Sequence, residues 1–209
     1  MTSEAVDRPA GSGGRDLRAR LLRTSRELLD EGGPGALSMR EVARRSGCTH
    51  QAPYHYFANR EAILAALVRE GFEELAQRLR EVHDGLETRG LPATLKASGN
   101  AYVEFALRNP GVFRVMFRPD VCDPERFPEA GRACELARLA RMVAGQQAPP
   151  EVEALIWSGV HGLASLLLDG SLGAGLGSLQ ERLDFARRVT HTSLGPLLVL
   201  ADGEVGNQG

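Results

Sequence analysis

The chain has 209 residues, of which 43% are hydrophobic, and a formal net charge of -2, so it is long enough for a substantial core and is not basic as a whole. Its cysteines, Cys48, Cys122 and Cys134, show neither CxxC nor zinc-ligand spacing, and no segment approaches the roughly 18 apolar residues that a membrane span needs. We therefore expect a cytoplasmic protein without a membrane segment, metal or cofactor.

The first part of the chain predicts a disordered arm followed by three helices. Gly, Ser and Pro dominate residues 1–14, and a leucine repeat at helical spacing then predicts a helix from Asp16 to the glycines and proline at 32–35. Ser38, with Glu41 three positions later, has the pattern of a capping box for the second helix. Gly47 is expected to supply a sharp turn, and Thr49 to cap the third helix.

The remainder of the chain predicts further helices with no alternating strand pattern. Asn59 is expected to cap a long fourth helix that ends near residue 84. Further helices are predicted over about 93–108, through Phe113 and Phe117, up to about Val143, over about 150–169, and from Leu179 onward. Pro196 is expected to end or kink the last of them. The predicted fold is therefore all-α, with about nine helices.

Positive charge is concentrated near the N-terminus. Residues 15–60 contain nine arginines and five acidic residues, a local charge of +4, so the remainder carries -6. Residues 38–57 read as two short helices joined by a tight turn, with polar and basic side chains on the second. That layout is typical of a helix-turn-helix, whose second helix enters the major groove of DNA. A basic region at one end of an acidic body agrees with a polyanionic partner bound there.

The segment from Gly47 to Leu64 resembles the third helix and following junction of the tetracycline-repressor (TetR) family of bacterial regulators. Thr49, Tyr54, the pair Tyr56-Phe57 and Arg60 occupy the signature positions of that family. Pro53 stands where the family usually has Leu, and because proline disfavours α geometry in the residue before it, a tight or irregular start of this helix is expected.

A second resemblance lies in the C-terminal half. Residues 157–162, Trp-Ser-Gly-Val-His-Gly, are similar to the Trp-x-x-x-His-Gly signature of a TetR C-terminal regulatory domain. Residues 105–113 and 116–117 resemble the helices that precede it. The resemblance implies an arm at 1–14, a DNA-binding domain at 15–62, a ligand-binding and dimerisation domain at 63–202, and a disordered tail at 203–209.

The DNA-contacting residues are predicted from their types and positions. We expect Tyr54, Arg60 and Arg40 to contact phosphates, and Thr49, His50, Gln51 and His55 to reach base edges, with Ala52 against a thymine methyl. Tyr56 is either a contact or part of the core, as is its neighbour Phe57. Arg44 is either a contact or a solvated charge. The predicted DNA-binding set is Arg40, Arg44, Thr49, His50, Gln51, Ala52, Tyr54, His55, Tyr56 and Arg60.

Aromatic and soft residues of the C-terminal part either belong to an ordinary core or line an apolar cavity for a ligand. Trp157 and His161 lie four positions apart, hence on one helix face, and His161 is either a satisfied core residue or a hydrogen-bonding group for a ligand. The predicted ligand-binding set is Tyr102, Phe105, Phe113, Met116, Phe117, Met142, Trp157 and His161.

The resulting expectation is a homodimeric regulator that binds double-stranded operator DNA and a small-molecule effector. From residue 152 to 168 apolar side chains cover nearly every direction of the helix, and a second copy would supply the missing cover. Repression is preferred to activation, with a dimeric small-molecule-binding protein of impaired DNA recognition as the alternative. We expect no enzyme, because the sequence contains no phosphate-binding loop, ligand cluster or nucleophile–base arrangement.

Overall fold

The computed structural model describes residues 12–84, 91–118, 150–172 and 175–203, and within these ranges it contains helices and turns but no strand. The helices are α1 (Ser12–Gly32), α2 (Met39–Arg45), α3 (Arg60–Asp84), α4 (Leu91–Arg108), α5 (Pro110–Met116), α6 (Pro150–Leu168) and α7 (Leu179–Gly203). Two 3₁₀ turns, Pro34–Ala36 and Ala52–His55, separate the early helices. The predicted all-α class is confirmed.

The predicted number of nine helices is slightly wrong, since the described residues form seven α-helices. The third predicted helix is a 3₁₀ turn, and the one predicted to reach Val143 lies outside the described residues. α1 begins at Ser12, so the last residues of the predicted arm are helical. α7 continues through Pro196 to Gly203 instead of ending there.

Side-chain caps begin two of the helices as the sequence predicts. The Ser38 hydroxyl accepts the Glu41 N–H at 3.2 Å, and the Asn59 amide oxygen accepts the Ala62 N–H at 2.8 Å. These bonds satisfy amides that have no partner within the first helical turn. The predicted capping box is only half formed, because the Glu41 carboxylate bonds to Arg44 and Arg45.

The third predicted helix is shorter and tighter than expected, and Thr49 does not cap it. Its turn begins at Ala52 without a side-chain cap. The carbonyl of Thr49 accepts the Ala52 N–H at 3.0 Å, and Gln51 accepts the Tyr54 N–H at 3.1 Å, both in the i→i−3 pattern. Pro53 has no N–H to donate to an α-helical ladder, which accounts for the irregular geometry that the sequence predicted.

Among the described residues, five helices, α3 to α7, form the body, and α4 packs against α3, α6 and α7. Apolar residues of α3, such as Leu67 and Leu75, are fully buried, as are Phe105 of α4 and Met116 of α5. A single hydrophobic cluster runs from α1 through this body to α7. The N-terminal elements are therefore packed on the body rather than joined to it by a linker.

The junction between the N-terminal elements and the body is made mainly by α1 and α5. The Asp30 carboxylate, near the end of α1, accepts the Gly111 N–H at 2.8 Å and thus caps the start of α5. Arg26 donates to the Asn109 amide oxygen at 2.9 Å and to the Glu74 carboxylate of α3 at 3.2 Å. A helix of seven residues is thereby fixed to the N-terminal part of the chain.

Candidate nucleic-acid interface and adjoining pocket

The segment between α2 and α3 presents polar side chains to solvent from a fixed backbone. Gly47 adopts φ 63°, the left-handed conformation that the predicted sharp turn requires. Pro53 is buried and anchors the 3₁₀ turn on the core. The side chains that surround it are exposed: Thr49, His50, Gln51, Tyr54 and His55. Tyr54 is 44% exposed, and its ring centroid lies 6.0 Å from that of His50.

The residues that follow the turn belong largely to the core. Phe57 is buried, and the Arg18 guanidinium of α1 lies over its ring at 5.3 Å from the centroid, a cation–π contact. Tyr56 is half-buried and packs against the same core, and Ala52 is also half-buried. Of the predicted contacts between Thr49 and Tyr56, Ala52 and Tyr56 are thus the less accessible ones.

Arg44 and Arg45, on α2, are bound to carboxylates of the protein itself. Both Arg44 nitrogens that face Glu41 donate to it, at 2.8 and 2.6 Å, and Arg45 donates to Glu41 at 2.9 Å and to Glu31 at 2.6 Å. Hydrogen bonds from Arg44, and then from Arg45, lower the pKa of Glu41 to about 2. Glu41 thus engages two of the three Arg44 nitrogens, and Nη1 bonds to no described residue.

Arg40 and Arg60, both predicted at phosphates, have different surroundings. Arg60 is half-buried, and its guanidinium donates to the backbone carbonyls of Leu37, at 2.8 Å, and of Pro34. It therefore fixes the loop before α2 onto the start of α3, a role that the sequence did not reveal. Arg40 is exposed in the first turn of α2 and bonds to no described residue.

We predict opposite effects for these two arginines. Arg40→Ala should leave the melting temperature unchanged and lower DNA affinity for all sequences, reducing the slope of log affinity against log salt by about 1. Arg60→Ala should destabilise the fold by about 1–3 kcal/mol, since two carbonyls lose a charged donor. Thermal melting and a salt titration of DNA binding distinguish the two. If Arg60→Ala melted at the same temperature as the parent protein, the Arg60 hydrogen bonds would be dispensable for stability.

The body contains an aromatic cluster centred on His161. Its ring centroid lies 4.6 Å from that of Phe117, 5.4 Å from Phe113 and 5.0 Å from Trp157, on which it stacks. The Tyr102 hydroxyl and His161 Nδ1 are 2.9 Å apart. Burial raises the pKa of the Tyr102 phenol and lowers the pKa of the His161 imidazole, so both are neutral at neutral pH.

A pocket of about 170 Å³ opens beside this cluster. It is lined by Phe113, Arg114, Phe117, His161, Ser165, Leu168 and Asp169. Tyr102 and Trp157 contact the His161 ring but do not line the pocket. Phe105 and Met116 are buried in the core and do not line it either. Met142 lies outside the described residues.

Four residues of the pocket lining were missed by sequence reasoning. Ser165 and Asp169 follow His161 at intervals of four along α6, the same spacing that relates His161 to Trp157, and this repeat was the signal that could have revealed them. Arg114 donates to the Leu168 carbonyl at 2.8 Å and lies 3.6 Å from the Asp169 carboxylate. No comparable signal pointed to Arg114.

The described residues meet the requirements of neither a membrane span nor a metal site. No described helix is both long enough and apolar enough to cross a membrane. Among the residues whose positions are given, no three His, Cys, Asp or Glu side chains are grouped so that they could hold a metal ion.

Two family models match this chain, one over each half. Residues 21–67 match the bacterial regulatory proteins of the tetR family, and residues 95–190 match the tetracyclin repressor-like C-terminal domain. The first match contains the exposed turn and the second contains the aromatic cluster. The chain belongs to the TetR family of DNA-binding transcriptional regulators, which are not enzymes.

Individual relatives agree with this membership. The chain is 26% identical to the HTH-type transcriptional regulator Rv1816 of Mycobacterium tuberculosis, over 71% of this chain and 79% of that one. A protein of unknown function from Rhodococcus sp. RHA1 is 27% identical, with a TM-score of 0.65 over 89% of this chain and 98% of that one. A tetR-family regulatory protein from Rhodococcus RHA1, 21% identical, has the same fold with a TM-score of 0.64 over 85% and 95%.

Proposed function

We propose that this regulator is a homodimeric repressor that binds a palindromic operator and is released from it by a small apolar or aromatic effector. The observation that carries the proposal is the exposed turn with Thr49, His50, Gln51 and Tyr54, held rigidly by the buried Pro53. One such turn contacts too few base pairs for selectivity in a genome. Two copies related by a two-fold axis would read two half-sites at a fixed spacing.

An apolar face of α6 supports dimerisation. Leu155 is 50% exposed and Leu166 is 43% exposed, and both lie on the same side of the helix as Gly159 and Gly162. A Cβ atom added to either glycine would meet nothing within 4 Å, so a second backbone has room to approach closely. Large exposed leucines grouped around small residues are typical of a surface that another chain covers.

We propose that Gln51 and its neighbours read bases and that Tyr54 fixes the register of the turn on the phosphate backbone. The Gln51 side chain bonds to no described residue, and an amide of this kind can pair bidentately with adenine. The Tyr54 hydroxyl can donate to a phosphate while the ring packs on a sugar. The His50 ring lies beside that of Tyr54, with the two centroids 6.0 Å apart.

Substitutions of Tyr54 and Gln51 should have distinguishable effects. Tyr54→Ala should weaken binding by about 1–3 kcal/mol on every DNA sequence without changing the melting temperature, whereas Gln51→Ala should alter base preference and leave the salt dependence unchanged. Selection of bound sequences from a random pool measures base preference. A salt titration of DNA binding measures the salt dependence. An unchanged selected profile for Gln51→Ala would remove Gln51 from the reading set.

We propose that the release signal passes through α5. Phe113 and Arg114 of this helix line the pocket, while its first turn is bonded to Asp30 of α1. An effector that prefers a shifted α5 would therefore also shift α1, and with it α2, on which the turn packs. Such a ligand moves the equilibrium between two states only by its difference in affinity for them. α3, which runs from the turn into the body, offers a second route.

Binding to DNA from the regulator's own locus tests the proposal. A repressor should bind a palindromic fragment selectively, as one dimer per site, and reduce transcription from it. Increased transcription would identify an activator. The short 3₁₀ turn at Pro53 favours one alternative, a dimeric small-molecule-binding protein with impaired DNA recognition, and the absence of any selective fragment from a genomic library would establish it.

A further inference from the structure

The pocket beside His161 has the size of a single aromatic ring. Its volume of about 170 Å³ is close to the roughly 150 Å³ of apolar cavities that hold benzene, and below the range of about 300–1,000 Å³ usual for drug-sized ligands. Phe113 and Phe117 form one wall, with their ring centroids 5.1 Å apart. Such rings favour offset or edge-to-face contact with another ring.

The polar atoms around this wall determine what else the ligand must carry. Tyr102 is 2% exposed, and the hydrogen-bond partner of its hydroxyl is His161 Nδ1 at 2.9 Å. A buried hydroxyl pairs its proton with an acceptor, because an unpaired buried donor costs free energy. We therefore assign the Tyr102 hydroxyl as the donor to His161 Nδ1.

This assignment leaves His161 as a hydrogen-bond donor to the pocket. Because the imidazole is neutral and Nδ1 accepts from Tyr102, its single proton lies on Nε2. Ser165, one turn further along α6, adds a hydroxyl that bonds to no described residue. A molecule in the pocket thus meets an N–H and an O–H along one edge and two phenyl rings on its face.

The charged residues of the pocket largely compensate each other. Arg114 donates to the Leu168 carbonyl, and its guanidinium lies 3.6 Å from the Asp169 carboxylate, so neither charge is left unbalanced for a ligand. An anionic ligand would gain attraction from Arg114 only against repulsion from Asp169. The balance therefore favours a neutral molecule.

We propose that the effector class of this regulator is a neutral, single-ring aromatic compound with a hydrogen-bond-accepting oxygen attached to the ring, such as an aryl amide or aryl ketone. The ring lies against Phe113 and Phe117, and the oxygen accepts from His161 Nε2 and the Ser165 hydroxyl. This inference rests on the proposed effector-responsive function, but the binding is measurable without DNA.

The experiment uses benzamide as the probe and the fluorescence of Trp157, the only tryptophan of the chain, as the readout. Benzamide should change this fluorescence saturably. Toluene, which lacks the oxygen, and benzoate, which carries a charge, should both bind at least about tenfold more weakly, the order expected for loss of a hydrogen bond to a neutral donor. Isothermal titration provides the same constants without the fluorophore.

Two variants test the assigned contacts. Ser165→Ala and His161→Leu should each weaken benzamide binding about tenfold and leave toluene binding unchanged. Ser158→Ala is the matched control, because Ser158 lies on the same helix, bonds to the Ala154 carbonyl and does not line the pocket. Ser165→Ala disturbs no contact of Tyr102 and keeps the test valid should His161→Leu misfold.

Three results would overturn the inference: toluene binding as tightly as benzamide, benzoate binding more tightly than benzamide, or no saturable binding of benzamide by either method up to its solubility limit. None of these results bears on operator binding, which is measured with the unliganded protein. Failure of the ligand class and failure of the proposed DNA-binding repressor are therefore separate outcomes.

Discussion

Gly111→Ala is expected to destabilise the protein more than any other single methyl addition at a described glycine. A Cβ atom at this position would lie 2.6 Å from the backbone oxygen of Leu29 and 2.6 Å from the backbone nitrogen of Asp30. Backbone atoms cannot rotate away, so α1 and α5 must separate. We expect a loss of about 1–3 kcal/mol or more, hence a melting temperature lower by several degrees.

Two other glycines provide a graded control. At Gly71 an added Cβ would lie 2.8 Å from the ends of the Met116 and Val112 side chains, which have some freedom to move, and at Gly35 it would meet nothing within 4 Å. The expected order of destabilisation is therefore Gly111, then Gly71, then Gly35, with the last within about 0.5 kcal/mol of the parent. An equal effect at Gly35 and Gly111 would contradict close packing of α1 on α5.

Gly111→Ala also tests the proposed route of the signal. If α5 connects the pocket to the N-terminal elements, separating it from α1 should weaken the effect of an effector on DNA affinity. The effector should still bind, because the substitution replaces no residue that lines the pocket. DNA affinity with and without effector, measured at a temperature where the variant is folded, gives the coupling free energy directly. Unchanged coupling would favour transmission through α3.

The sequence predicted those parts of the fold that depend on local chemistry. The helix starts at Ser38 and Asn59 follow from side chains that bond to nearby amides. The turn at Gly47 follows because glycine readily adopts the left-handed φ observed there. Pro53 correctly indicated irregular geometry, although not that the whole third helix would be reduced to a 3₁₀ turn.

Interactions between distant residues could not be predicted. Arg60 bonds to carbonyls 23 and 26 positions earlier, and Asp30 caps a helix that begins 80 positions later, and neither partner has a sequence pattern of its own. Arg60 also matched the family signature, and that match suggested a contact with phosphate. In the structure its guanidinium bonds instead to backbone carbonyls of the loop before α2. In the pocket, by contrast, the interval of four that relates Trp157 to His161 extends to Ser165 and Asp169. The sequence could therefore have predicted that these two residues lie on the same helix face.

Leu166→Glu is expected to convert the proposed dimer into monomers and to abolish selective operator binding. The side chain is 43% exposed in one copy, on the apolar face of α6. In a two-fold interface each substitution appears twice, so two leucines leave the apolar contact and two carboxylates enter it. The loss is about 3–6 kcal/mol at roughly 1.5–3 kcal/mol for each buried leucine, or two to four orders of magnitude in the dimer dissociation constant.

Sedimentation of the variant measures this effect, and its folded state is checked by circular dichroism. A surface substitution should change the stability of the monomer by no more than about 0.5 kcal/mol. Leu172→Glu is the control, because Leu172 is similarly exposed but lies in the turn after α6. Since each half-site alone binds weakly, operator affinity should fall with dimerisation for Leu166→Glu and be retained for Leu172→Glu. A stable Leu166→Glu dimer would place the interface elsewhere and leave the apolar face of α6 to another partner.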